Sequence, residues 1–160
     1  MGDARARPVR IAVAGAGICG IEMTYMAEEV GRAIARADAI LICGGLGGVM
    51  EGAARGVTEE GGLTVGILPG TDARNANPYI RVPLPTGMGE ARNVLVARTA
   101  DVLIAIGGEW GTLSEVAMAR KCDIPVILLR PALAGTLDLP VAGGPEEAVE
   151  LALAAAVGSA

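Results

Sequence analysis

The chain ARNVLVARTADVLIAIGGEWGTLSE gathers an arginine, an amide, a glycine turn, a hydroxyl and a carboxylate in one short stretch: Arg92, Asn93, Gly108, Gly111, Thr112 and Glu115. A helix carrying Arg92 and Asn93 leads into an apolar strand, Val102 to Ile106, then a turn at Gly107, Gly108 and Gly111, and a helix expected to open at Thr112. A strand that ends in a glycine turn at a helix N-terminus directs backbone N–H groups and the positive end of the helix dipole toward one point. Phosphate is the anion expected there. Glu115, one turn further on, adds a carboxylate able to hold a hydroxyl or move a proton. Two plainer roles compete. Arg92 and Glu115 are placed to form a structural ion pair across the strand, and Thr112 with Glu115 has the spacing of a capping box. A Glu115 bonded back to its own helix start cannot also face a ligand. Glu109 stands inside the glycine turn, where a carboxylate repels phosphate at Gly108 unless it points away or is neutralised.

What the chain lacks narrows the chemistry. It contains no histidine, which excludes an imidazole base, a Ser-His-Asp triad and His-based metal sites. Its cysteines, Cys19, Cys43 and Cys122, are odd in number and form no CxxC, so neither a disulfide framework nor a zinc site is expected. A net charge of −5 with two Tyr, one Trp and no Phe argues against nucleic acid as a partner. The 160 residues, 52% of them hydrophobic, suit one domain with its core from about residue 9 to residue 157. No apolar run reaches the roughly eighteen residues of a membrane span. MGDARARPVR lacks the apolar centre of a signal peptide, so a cytoplasmic protein is expected.

The surrounding elements alternate. Val9 to Ala14 reads as a strand, Gly15-Ala16-Gly17-Ile18-Cys19-Gly20 as a tight turn, and Ile21 to Arg36 as a helix. This is a GxGxxG after a strand, but dinucleotide binding also needs an acidic residue at the end of the second strand. That strand, Ala39 to Cys43, ends in Gly44-Gly45, and Asp38 precedes it. Gly15 and Gly17 are therefore expected to let strand, helix and ligand come close, not to mark an NAD site. A second glycine pair, Gly47-Gly48, opens the next helix, where Met50 serves either the core or a ligand. Leu63 to Leu68 reads as a strand, and Ile80 to Leu84 as a short one limited by Pro83 and Pro85. Val126 to Leu129 is a buried strand, Arg130 to Gly135 a loop, Leu139 to Val141 a last short strand, and a helix follows Pro145. The alternation predicts an α/β fold, a doubly wound, mostly parallel sheet with helices on both faces. Such sheets bind ligands beyond the carboxyl ends of their strands, the edge that carries the turns at Gly15, Gly44 and Gly107.

CGGLGGVMEGAARG, GILPG, PTGMGEARN and ADVLIAIGGEWGTLSE resemble the Rossmann-like superfamily once labelled "possible lysine decarboxylase". It includes the LOG cytokinin-activating phosphoribohydrolases, the DprA/Smf-related proteins and the molybdenum cofactor carrier proteins. The resemblance runs from about Val9 to the last helix. In LOG enzymes PGGxGTxxE follows an arginine within MHxRK, and that arginine and the final glutamate are implicated in cleaving the N-glycosidic bond of a nucleoside monophosphate. Arg92 and Glu115 match those two, and Gly111-Thr112 match the GT. Gly107, Glu109 and Asn93 depart from the LOG pattern, and no histidine precedes Arg92. GEARN and GGxxGT are closer to the carrier branch, whose members bind a pterin with a phosphate.

The resemblance therefore implies a carrier of a phosphorylated heterocycle, the molybdenum cofactor or a nucleotide such as AMP, with no further cofactor. The alternative is a LOG-like phosphoribohydrolase in which Arg92 and Glu115 are catalytic; lysine decarboxylation is not expected. The binding set implied is Gly15, Gly17, Gly44, Gly45, Gly47, Gly48, Met50, Arg92, Asn93, Gly108, Gly111, Thr112 and Glu115. The phosphate is expected at Gly44 to Gly48 and at Gly111-Thr112 more than at Gly108. Members of the superfamily assemble through their helices, so a homodimer or homotetramer is expected.

Overall fold

Short runs rich in Ile, Val, Leu and Ala, broken by glycine turns, fold into strands buried on both faces. The computed structural model describes residues 7–131 and 137–158. In chain order the elements are β1 (Arg10–Gly15), α1 (Ile21–Arg36), β2 (Ile40–Cys43), α2 (Val49–Glu59), β3 (Leu63–Leu68) and β4 (Val82–Pro85). There follow α3 (Asn93–Arg98), β5 (Val102–Ile106), α4 (Trp110–Lys121), β6 (Val126–Leu129), β7 (Val141–Ala142) and α5 (Pro145–Val157). The strands form one sheet in the order β4-β3-β2-β1-β5-β6-β7, with every neighbouring pair parallel. This is the expected single-domain, Rossmann-like α/β fold.

Alternation along each strand divides the core in two. Ile11, Val13, Leu41, Cys43, Ile104 and Ile106 face α1, α2 and α5, through residues such as Val30, Ile34, Val57 and Val149. Ala12, Ala14, Ile42, Leu103, Ala105 and Leu128 face α3 and α4, through Val96, Ala97, Val116 and Ala119. All five residues of β5 are buried, as befits a central parallel strand. The first face is unusually close: a Cβ on Gly56 would lie 2.0 Å from the Glu28 carbonyl oxygen, so α2 crosses α1 backbone to backbone.

Strand order reverses at β1, which pairs with β2 on one side and β5 on the other. Gly15 stands opposite Ile106 in that register, bringing the first and third glycine turns side by side at the switch point. Several boundaries differ from expectation. β4 starts at Val82 because the Tyr79 carbonyl is taken by the Thr64 hydroxyl at 2.6 Å, and Arg81 N–H donates to the same hydroxyl at 2.8 Å. β7 is Val141–Ala142, one residue of which lies beyond the stretch expected. Arg92 ends a short 3-10 turn, Gly89–Arg92, and Asn93 begins α3. The loop expected over Arg130 to Gly135 lies mostly outside the described residues, as does the start of the MGDARARPVR segment.

Candidate functional site

The carboxyl end of β1 and the turn after it set the floor of the site, and α2, the start of α4 and the turn leading into α3 supply its walls. A cavity of about 290 Å³ opens there, and Gly15, Gly17, Met50, Arg92, Asn93, Gly111, Thr112 and Glu115 all line it. Ala16, Leu46, Glu90 and Glu109 complete the lining. Ala16, Leu46, Glu90 and Glu109 lie outside the expected binding set; only Glu90, in the GEARN motif, and Glu109, in the glycine turn, carried a signal.

The other nominated glycines do different work. Gly44 does not line the cavity, but a Cβ there would lie 2.8 Å from Arg92 Nη2 and 2.7 Å from Met50 Sδ. Its bare backbone is what admits both side chains. Gly48 has φ +63°, and a Cβ there would lie 2.2 Å from the Ala16 carbonyl oxygen. The next amide, Val49 N–H, donates to that same oxygen at 3.0 Å. The segment Gly44 to Gly48 thus crosses the first glycine turn closely, and the α2 start spends an amide on that crossing; none of Gly44, Gly45, Gly47 and Gly48 lines the cavity. Gly108 lines a groove on the other side of the α4 start.

Four polar residues of the cavity are more than nine-tenths buried: Arg92 is 5% exposed, Asn93 7%, Thr112 4% and Glu115 7%. Arg92 Nη1 donates to Asn93 Oδ1. Asn93 Nδ2 in turn donates to Ser114 Oγ at 3.2 Å, and Ser114 Oγ to the Gly111 carbonyl at 2.6 Å. This run ties the guanidinium to the first turn of α4. Among the described residues no carboxylate pairs with Arg92, and its Nε is buried without a hydrogen-bond partner. Thr112 Oγ1 is likewise buried and unpartnered. Buried polar atoms are bonded as a rule, and an unpaired buried charge is expensive. Two such donors in one cavity are free to bond to an acceptor-rich group.

Both plainer roles for Glu115 fail on geometry. The competing Arg92–Glu115 ion pair is not formed. The expected capping box is not formed either, because α4 begins at Trp110 and Glu109 is its N-cap residue, placing Thr112 inside the helix. Burial instead pushes the Glu115 carboxyl up to about 8, Arg92 pulling it down and Glu90 adding to the rise. At neutral pH Glu115 is mostly a neutral acid, a hydrogen-bond donor. Cys43, fully buried beneath the site, has its thiol pushed up to about 12 by burial and is no nucleophile. Asp38 is an exposed turn residue with φ 53° ahead of β2, which leaves the dinucleotide fingerprint incomplete. Among the described residues no group of His, Cys, Asp and Glu side chains is arranged to hold a metal ion.

The family model of SLOG cluster4 matches residues 8–155. The chain belongs to the SLOG cluster4 family. This agrees with the superfamily resemblance carried by the glycine motifs. A SLOG cluster4 chain of this kind is similar to the molybdenum cofactor binding protein of the phototrophic bacterium Rippkaea orientalis, at 35% identity over 92% of this chain and 97% of that one, with a TM-score of 0.85. It is similar to the molybdenum cofactor carrier protein of Chlamydomonas reinhardtii, at 34% identity over 94% and 99% of the two chains, TM-score 0.83. A protein of Archaeoglobus fulgidus is 41% identical over 149 residues, 93% of this chain and 97% of that one.

Proposed function

We propose that the chain binds and carries the molybdenum cofactor, or a related phosphorylated heterocycle such as AMP, with the ligand's phosphate between Arg92 and Thr112. The observation that carries this reading is the buried Arg92 guanidinium, without a carboxylate partner and with Nε unsatisfied, beside the unsatisfied Thr112 hydroxyl. A phosphate supplies acceptors for both and balances the charge. A protonated Glu115 adds a third donor without repelling the anion. The likeness to proteins that bind or carry the molybdenum cofactor supports the same cargo. A cavity of about 290 Å³ is at the small end of ligand pockets. It suits the phosphate end, leaving the ring to an adjoining surface.

The phosphoribohydrolase alternative asks Glu115 to be a carboxylate, either as base for water or as an anion beside an oxocarbenium-like centre. Burial raises the Glu115 carboxyl to about 8 and so favours its neutral, donating form at neutral pH, which suits holding an anion more than acting as a fixed negative charge. The test is to incubate the protein with molybdopterin, separate bound from free, and detect the pterin by fluorescence after oxidation. Wild type should retain it and Arg92→Ala should not. Equal retention by the two, or release of adenine from AMP, would overturn the reading.

The same reading takes the protein to be a cytoplasmic homodimer or homotetramer that binds a small phosphorylated ligand and no nucleic acid. Ile18 and Ile21, each 91% exposed, and Tyr25 at the start of α1 support an interface between copies. Light scattering gives the subunit number. No described helix is long and apolar enough to cross a membrane.

A further inference from the structure

Behind the first turn of α4, across from Arg92, lies a second cavity of about 420 Å³ with walls that include Leu113, Val116, Leu128 and Pro131. Trp110 stands at it and is 87% exposed. Glu109, Gly111 and Thr112 line both this groove and the Arg92 cavity, so the two flank one helix start. The unpartnered, buried Thr112 hydroxyl sits at the junction. An apolar groove with an exposed tryptophan, beside a site for phosphate, suits a flat ring carried on that phosphate.

Glu109 is the polar group at this junction with no use inside the protein. Its carbonyl oxygen accepts from Leu113 N–H at 2.9 Å, but its side chain forms no capping bond and, among the described residues, no ion pair. In a turn that only held phosphate, this charge would weaken binding. Next to a heterocycle it has a use. A carboxylate presents two acceptors and no donor, and so pairs with an edge that offers two adjacent N–H donors.

Building on the phosphate reading above, we propose that Glu109 selects the heterocycle: its oxygens accept from the ring N–H and the exocyclic amino group of a 2-aminopyrimidin-4-one edge, as in a pterin or guanine, while the ring lies in the groove against Trp110. Adenine presents an amino donor beside a ring nitrogen that is an acceptor. One carboxylate oxygen would then face a lone pair, and an adenine ring is held more weakly than a guanine or pterin.

GMP and AMP carry the same phosphate and differ in this edge, and Trp110 is the only tryptophan, so its fluorescence reports the groove directly. Titration of the full-length protein with each should show GMP quenching Trp110 and binding at least about tenfold tighter than AMP, the range of one charge-assisted hydrogen bond. Glu109→Gln, whose amide offers one donor and one acceptor, should bring the two affinities to within about twofold by the same arithmetic. Glu109 is exposed, so the substitution leaves the core intact. Equal binding of GMP and AMP by wild type, with both lost in Arg92→Ala, would overturn the selection by Glu109 and leave the phosphate site standing. A GMP preference that survives Glu109→Gln would also overturn it. If neither nucleotide nor inorganic phosphate bound, both readings would fall together.

Discussion

Gly44 lies directly under Arg92: a Cβ at Gly44 would meet Nη2 at 2.8 Å and Cζ at 3.1 Å. The second glycine turn and the buried cation are thus one device, in which missing side-chain volume at the end of β2 admits a guanidinium at the switch point.

Gly44→Ala should therefore displace both Arg92 and Met50. Overpacking of this kind typically destabilises by about 1–3 kcal/mol. A lower thermal midpoint together with loss of ligand retention is the expected pair of results. Retention at the wild-type level would show that Arg92 does not need its seat.

A buried guanidinium with no carboxylate partner and Nε unbonded costs more than an apolar side chain of similar length. Arg92→Met should leave the ligand-free melting temperature unchanged or raise it, while abolishing binding of phosphate ligands. Calorimetry on the free protein and equilibrium dialysis with the ligand separate the two effects. A large fall in melting temperature would mean that the guanidinium supports the fold.

Glu115 gives a pH signature with a definite sign. Its folded value, about 8, lies above the ordinary 4.5, so the folded state holds a proton that the unfolded chain has released. The stability it contributes is full below about pH 4.5, declines as pH rises from there to about 8, and is flat beyond. Urea titrations across that range should show the decline in wild type and a shallower one in Glu115→Gln. Binding of a phosphate ligand should also weaken above pH 8 in wild type, as the carboxylate forms, and hold in the Gln variant.

At the opposite end of the sheet, Asp101 accepts from the Arg10 backbone N–H at 2.9 Å and from its guanidinium at 2.9 Å, joining the starts of β1 and β5. The hydrogen bonds from Arg10 hold its carboxyl below the usual carboxylate range. Stability from this group is present above the ordinary carboxylate range and is lost as pH falls through its depressed value. Asp101→Asn should cost on the order of 1–2 kcal/mol at neutral pH. Denaturant midpoints should show the loss shrinking in acid, with ligand binding unchanged.

The architecture was legible because each strand is a short apolar run and each turn a glycine cluster, whereas which residues of IAVA and LIAI face which helices came only from the packing. The cavity lining was legible in part: Arg92, Thr112 and Glu115 stood out by type and spacing. Two things were not. Whether Thr112 caps α4 or lies inside it depends on a three-residue shift of the helix start, which propensity cannot resolve, and the shift decides whether its hydroxyl is satisfied. The roles of Gly44 and Gly48 depend on what crosses them, Arg92 and the Ala16 carbonyl, partners distant in sequence. Glycine pattern alone does not separate a ligand cradle from a crossing of two chain segments.

The uncapped start of α4 has a thermodynamic consequence. No side chain accepts from its first amides, so the turn from Trp110 to Leu113 is ordered less firmly than a capped one. Ordering it on arrival of an anion subtracts from the affinity that the contacts alone would give. Under the carrier reading proposed above, the weaker hold speeds release of the cargo, and hydrogen exchange in that turn would distinguish loaded from empty molecules.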